Sequence, residues 1–167
     1  AAPNLWACSM ALLGVDTSTA LIWRGPRKTS AIKELLGGVK WGTLDYLFLD
    51  SPPGTGDEAL TAAQSIPDLS GAVLVTTPQE VALDDARRSA AFAASLKFKI
   101  LGVVENMSGF ICPGCGLESP IFSRKKKKKL AAELGAPFLG RLPLDPRAVS
   151  MADAGRTLFD IESGKMR

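Results

Sequence analysis

Cys112-Pro113-Gly114-Cys115 sets two thiols three positions apart on a Pro-Gly turn. Thiolates are soft ligands, and this spacing lets both reach one metal, but a tetrahedral site needs four ligands. The sequence offers one further cysteine, Cys8, and no histidine. The pair is therefore half of a metal site completed by another chain, a redox dithiol, or chemically inert. A thioredoxin-like dithiol opens a helix whose dipole lowers the thiol pKa. Here Gly109 and Gly116 flank the pair and no helical pattern follows, which counts against that reading. A structural zinc shared across a dimer stays open, because zinc also accepts four thiolates. Cys8 lies in an apolar stretch and reads as a small buried residue.

A second group of chemically capable residues is Leu49-Asp50-Ser51-Pro52-Pro53-Gly54-Thr55-Gly56-Asp57-Glu58. Asp50 closes an apolar run, the position from which a carboxylate can hold a magnesium ion through its water shell. Gly54 and Gly56 let backbone N–H groups approach a phosphate, and the helix predicted next would point its N-terminus there. The plain alternative is a Pro-Gly turn between strand and helix. A complete phosphate site also needs a loop of the form G-x-x-x-x-G-K-[ST], which the sequence lacks. Gly25-Pro26-Arg27-Lys28-Thr29 imitates its end, but no glycine immediately precedes Lys28 and Pro26 removes a donor. This chain alone is not expected to hold ATP.

The elements that must position these groups alternate. Asp45–Asp50, Ala72–Thr77 and Ile100–Val104 read as buried strands, with Pro137–Gly140 as a weaker fourth. Asn106-Met107-Ser108-Gly109 reads as a turn after the third, and Asn106 as a strand-end residue whose amide can cap that turn. Helices are predicted over Ser30–Leu36, Asp57–Ser65, Gln79–Leu96, Lys125–Leu134 and Ala148–Ala154. Trp23-Arg24-Gly25-Pro26 reads as a turn with a packed Trp, and Asp84, Asp85, Arg87 and Arg88 as a charged helix face with i,i+3 pairs. Unbroken apolar strands imply cover on both faces, and the alternation predicts an α/β fold with a doubly wound, mostly parallel sheet and flanking helices.

Composition narrows the function classes. The net charge of +3 is local: without the six cations of Arg124–Lys129, 14 basic residues face 17 acidic ones. That argues against a nucleic-acid-binding face and leaves the lysine run as a solvated, self-repelling segment. No apolar stretch approaches the roughly 20 residues that span a bilayer, so no membrane association is expected. The chain does not begin with Met and shows no signal-peptide order, so a fragment or processed product is expected. Three cysteines make no disulfide framework and favour a reducing, cytoplasmic setting.

Four separated stretches, in order, resemble the Mrp/Nbp35 (ApbC-like) family: Ile22–Pro26, Asp45–Asp57, Glu105–Phe110 with Cys112 and Cys115, and Phe138–Asp145. The resemblance runs from about Leu21 onward. It implies a deviant-Walker P-loop ATPase that binds ATP, dimerises and carries a [4Fe–4S] cluster to apo iron–sulfur proteins. It implies Asp50 as the Walker B carboxylate for Mg2+, with Asp57 in the switch loop that senses the γ-phosphate. Pro52 and Gly54 would lie at the nucleotide, Asn106 at its base, and Cys112 and Cys115 on the cluster, two from each subunit of a homodimer or a related pair. Residues 1–167 would form one partial P-loop NTPase-like domain lacking the N-terminal strand and phosphate loop, with 105–123 as a cysteine-bearing insertion. ATPase activity is implied for a full-length member and not for this chain alone.

Overall fold

A computed structural model describes residues 4–13, 25–122 and 129–156. Two compact units divide the chain after Leu69.

Where it is described, the first unit holds short helices joined by irregular backbone. A 3-10 turn at Met10–Leu13 precedes α1 (Gly25–Gly37) and α2 (Asp57–Ser65). Pro26 fits the first turn of α1, where its missing N–H would have no intrahelical partner. The predicted turn at Gly25-Pro26 is thus the start of a helix, while Trp23 and Arg24 lie outside the described residues. α2 keeps Asp57 and Glu58 in its first turn, the favourable end of its dipole. The strand predicted at Asp45–Asp50 is not formed. Tyr46 is 79% exposed and Phe48 86%, their rings stacked 6.1 Å apart. A strand exists by pairing, and the described residues of this unit contain no second strand to pair with.

The second unit is the sheet. Strands β1 (Ala72–Thr76), β2 (Ile100–Ile111) and β4 (Phe138–Leu144) run parallel, and β3 (Glu118–Ser119) folds back antiparallel on the end of β2. Val103 to Glu105 of β2 pair with both β1 and β4, so these lie on opposite edges of β2. Phe110 pairs with both Ser119 and Leu144, which puts β3 on the edge away from β4. Helix α3 (Glu80–Ser95) makes the crossover from β1 to β2, and α4 (Lys129–Glu133) precedes β4. α5 (Pro146–Asp153) follows, its N-terminus capped by Asp145, which accepts from the Arg147 backbone N–H at 2.9 Å. The sheet is α/β with flanking helices, as predicted, and the weak fourth strand is a full seven residues.

The core sits on one face. Leu74 and Val103, neighbours across β1 and β2, pack with Leu83, Ala86 and Ala90 of α3 and Leu130 and Ala131 of α4. Three alanines on α3 and α4 bring helix and sheet close together. On the other face of β1, Val73 and Val75 remain exposed, an alternation that the unbroken apolar sequence does not announce. The i,i+3 pairs of α3 form as predicted: Arg87 meets Asp84 at 2.6 Å, and Arg88 meets Asp85. Arg87 also reaches Glu133 of α4 at 3.0 Å, tying the two core helices together at the surface.

Leu83→Ala, at a 5% exposed core position, is expected to destabilise the second unit by about 2–5 kcal/mol, whereas Val81→Ala, 75% exposed, should stay within about 0.5 kcal/mol. Urea unfolding followed by circular dichroism separates the two outcomes.

Candidate functional site

The cysteine pair stands on a hairpin tip. β2 runs well past the predicted turn, carrying Asn106 to Gly109 inside the strand. Those residues bulge instead: Met107 has φ 51°, and the register against β4 slips between Asn106 and Phe110. The bulge re-aims the last third of β2 without ending it. Asn106 closes it locally, its Oδ1 accepting from the Met107 backbone N–H at 2.9 Å. Near the bulge, Glu105 and Ser108 are buried, each with a side-chain oxygen that has no hydrogen-bond partner among the described residues.

Beyond Ile111 the backbone turns through Cys112–Cys115 and returns as β3. The Cys112 N–H donates to the Leu117 carbonyl at 3.0 Å, and the Gly116 N–H to the Cys112 carbonyl at 2.8 Å. Gly116 takes φ +73°, a conformation that strains residues with a Cβ. Both thiols are free, Cys112 half-buried and Cys115 exposed. Hydrogen bonds from the Gly114 and Cys115 backbone N–H groups, with a further one from the Cys115 side chain, hold the Cys112 thiol pKa below its ordinary value. These donors stabilise a thiolate at Cys112, the form that binds metal. Among the described residues, no group of three or more Cys, His, Asp or Glu side chains could hold a metal ion. One hairpin thus offers two thiols and, among the described residues, no third ligand. Cys8, expected to be buried, is half-buried in the first unit.

The first unit holds Asp50, Pro52, Gly54 and Asp57. Asp50 and Pro52 are exposed in the irregular segment before α2, and Gly54 takes φ +94°, which favours glycine. Asp57 opens α2, and its Oδ2 lies 2.7 Å from where a Cβ on Gly25 would stand. Glycine at that position therefore admits a carboxylate to the N-terminus of α1. Lys28, one turn on, pairs with Glu58 at 2.6 Å, and the Thr29 and Thr61 hydroxyls meet at 3.2 Å. The hydrogen bond to Glu58 raises the Lys28 pKa, and the same bond lowers that of Glu58. Between α1 and α2 lies a cavity of about 380 Å³ lined by Thr29, Lys33, Asp57 and Thr61, among others. The phosphate-loop imitation at Gly25–Thr29 is accordingly the first turn and a half of a helix, its lysine neutralised by a carboxylate. Gly25, Lys28 and Glu58 went unrecognised in the sequence as partners of the Asp57 region, because their pairing joins segments about thirty residues apart.

A mostly parallel sheet ending in a dithiol hairpin, with a Gly-rich acidic loop upstream, has counterparts among known proteins. The ParA profile, described as NUBPL iron-transfer P-loop NTPase, matches residues 1–166, and the chain belongs to that family. It is 51% identical over 147 residues to an iron-sulfur cluster carrier protein of Methanocaldococcus jannaschii, covering 88% of this chain and 51% of the relative. It is 46% identical over 150 residues to the cytosolic Fe-S cluster assembly factor CFD1 of Eremothecium gossypii, covering 87% and 53%. A solved nucleotide-binding protein from Archaeoglobus fulgidus, in complex with ADP, superposes with a TM-score of 0.67 at 41% identity, covering 77% of this chain and 52% of that one. The chain spans about half the length of the relatives it matches. No helix among the described residues is long and apolar enough to cross a membrane.

Because thiolate fraction governs alkylation, iodoacetamide near neutral pH is expected to label Cys112 ahead of the more exposed Cys115. Peptide mass spectrometry of the alkylated chain checks this.

Proposed function

We propose that this chain is the cysteine-bearing part of an iron–sulfur cluster carrier. Cys112 and Cys115 from two subunits would together hold one [4Fe–4S] cluster, the cargo delivered to apo iron–sulfur proteins. The observation that carries the reading is the free thiol pair on an exposed turn, with backbone donors lowering the Cys112 thiol pKa and no third ligand among the described residues. A cubane cluster takes four thiolates, and a twofold axis doubles two into four. Ligands divided between subunits also make the cargo easy to release, which a carrier requires. The named relatives and the family assignment support the same reading.

The nucleotide side of the proposal rests on Asp50 for Mg2+, Asp57 for sensing the γ-phosphate, Pro52 and Gly54 for close backbone approach, and Asn106 for the base. The exposed carboxylate of Asp50 and the left-handed Gly54 are compatible with those roles. A phosphate-cradling loop is not among residues 1–167, so these groups would supply one side of an ATP site and leave the phosphate cradle to other residues. Hydrolysis in the complete assembly would proceed by positioning of water and metal around Asp50 and Asp57. A reducing, cytoplasmic compartment suits free thiols of this kind.

Anaerobic reconstitution with iron and sulfide should yield a brown protein with about four irons per pair of chains. Cys112→Ser and Cys115→Ser should each abolish that uptake. A colourless parent, or a Cys112→Ser variant that loads equally, would sink the proposal. Tightly held zinc at one ion per two chains, with dimers lost on chelation, would point instead to a shared structural site.

A further inference from the structure

The return arm of the cysteine hairpin is thinly attached. β3 is two residues long, and its ladder consists of Phe110 opposite Ser119 and Ile111 opposite Glu118. A pairing this short is marginal by itself. Glu118, three positions after Cys115, sends its carboxylate across β2 to Arg141 of β4, where Oε2 meets the guanidinium at 3.3 Å. β3 and β4 lie on opposite edges of β2, so the ion pair spans the central strand. The crossing is possible because Gly109 lies under it. A Cβ on Gly109 would stand 2.8 Å from Glu118 Oε1, closer than real Cβ contacts come, and 3.0 Å from the Ser119 carbonyl oxygen, tighter than most of them. A missing side chain, a carboxylate and a guanidinium from three strands thus form one arrangement.

We infer that Arg141 and Glu118 are positioning residues for the dithiol: their ion pair, laid over Gly109, clamps the Cys115 arm to the sheet and so fixes the Cys112–Cys115 spacing. Neither residue touches the cargo. Without the clamp the arm frays from its two-residue ladder, and a cluster held by both thiols leaves sooner. The inference rests on the reading of Cys112 and Cys115 as cargo ligands, but its geometry can be tested apart from that reading.

The test compares the parent chain with Arg141→Gln, Glu118→Gln, and the reversed pair Glu118→Arg with Arg141→Glu. After anaerobic reconstitution, iron release is timed against a chromophoric chelator. Each single variant should load like the parent and release iron about two to five times faster, the span an exposed ion pair supplies, with the reversed pair restored toward the parent rate. Release rates equal to the parent in both single variants, or no recovery in the reversed pair, would overturn the inference. If the parent takes up no cluster, the carrier reading fails, and amide hydrogen exchange on the metal-free chain decides the clamp. Exchange at Cys112 and Gly116, whose N–H groups close the turn, should then quicken in the single variants and recover in the reversed pair, while Ala90 in the core is unaffected. Unchanged exchange at the turn would overturn the clamp. Gly109→Ala, which obstructs the crossing without removing either charge, should reproduce the single-variant effect.

Discussion

The pairing of β2 along both its edges is the interaction on which the second unit depends. Its first half is locked between β1 and β4, with Val103 facing the alanine-lined surfaces of α3 and α4. Its second half stays paired with β4, carries the bulge and leads into the hairpin with the two thiols. A parallel strand buried in a core cannot slip by one residue without turning Val103 away from its neighbours. The placement of the cysteines is therefore inherited from apolar packing at the other end of the same strand. Burial supplies the free energy, and the strand transmits the position.

The bulge at Asn106–Gly109 shows how a local irregularity serves that arrangement. Extra residues on β2 opposite a shorter stretch of β4 let the strand continue in a new direction. Met107 accepts a left-handed backbone, and the Asn106 amide oxygen stabilises it from one residue away. The buried oxygens of Glu105 and Ser108, without a partner among the described residues, sit in the same short stretch, at the C-terminal end of the parallel pairing where open α/β sheets place their ligands.

Much of this was legible in residue order. α2 spans the residues predicted for it, and α3 and β1 fall within one residue, because caps, acidic first turns and β-branched runs are local signals. The dithiol was legible from spacing alone. What escaped is what depends on distant partners. Asp45–Asp50 has every local mark of a strand and is none here, since strand propensity is realised only against a neighbour. Asn106–Gly109 carries turn residues, yet flanking pairings hold it inside a strand. The fourth strand was legible only as Pro137–Gly140, whereas pairing with β2 carries it on to Leu144, past the register shift beside Gly140. Gly109 gave no hint of its role, which is defined by a carboxylate nine positions later and an arginine on another strand.

The one-sided core of the sheet has a further consequence, for solubility. Val73 and Val75 on β1 and Leu139 on β4 present branched apolar side chains to water. Contiguous apolar surface of this kind drives self-association unless charge opposes it. Here net charge comes from one six-residue basic run, while the remainder of the chain is slightly acidic. Colloidal behaviour should then be salt-sensitive: with the Debye length shrinking to about 3 Å at 1 M salt, repulsion from that run is screened while the apolar attraction is not.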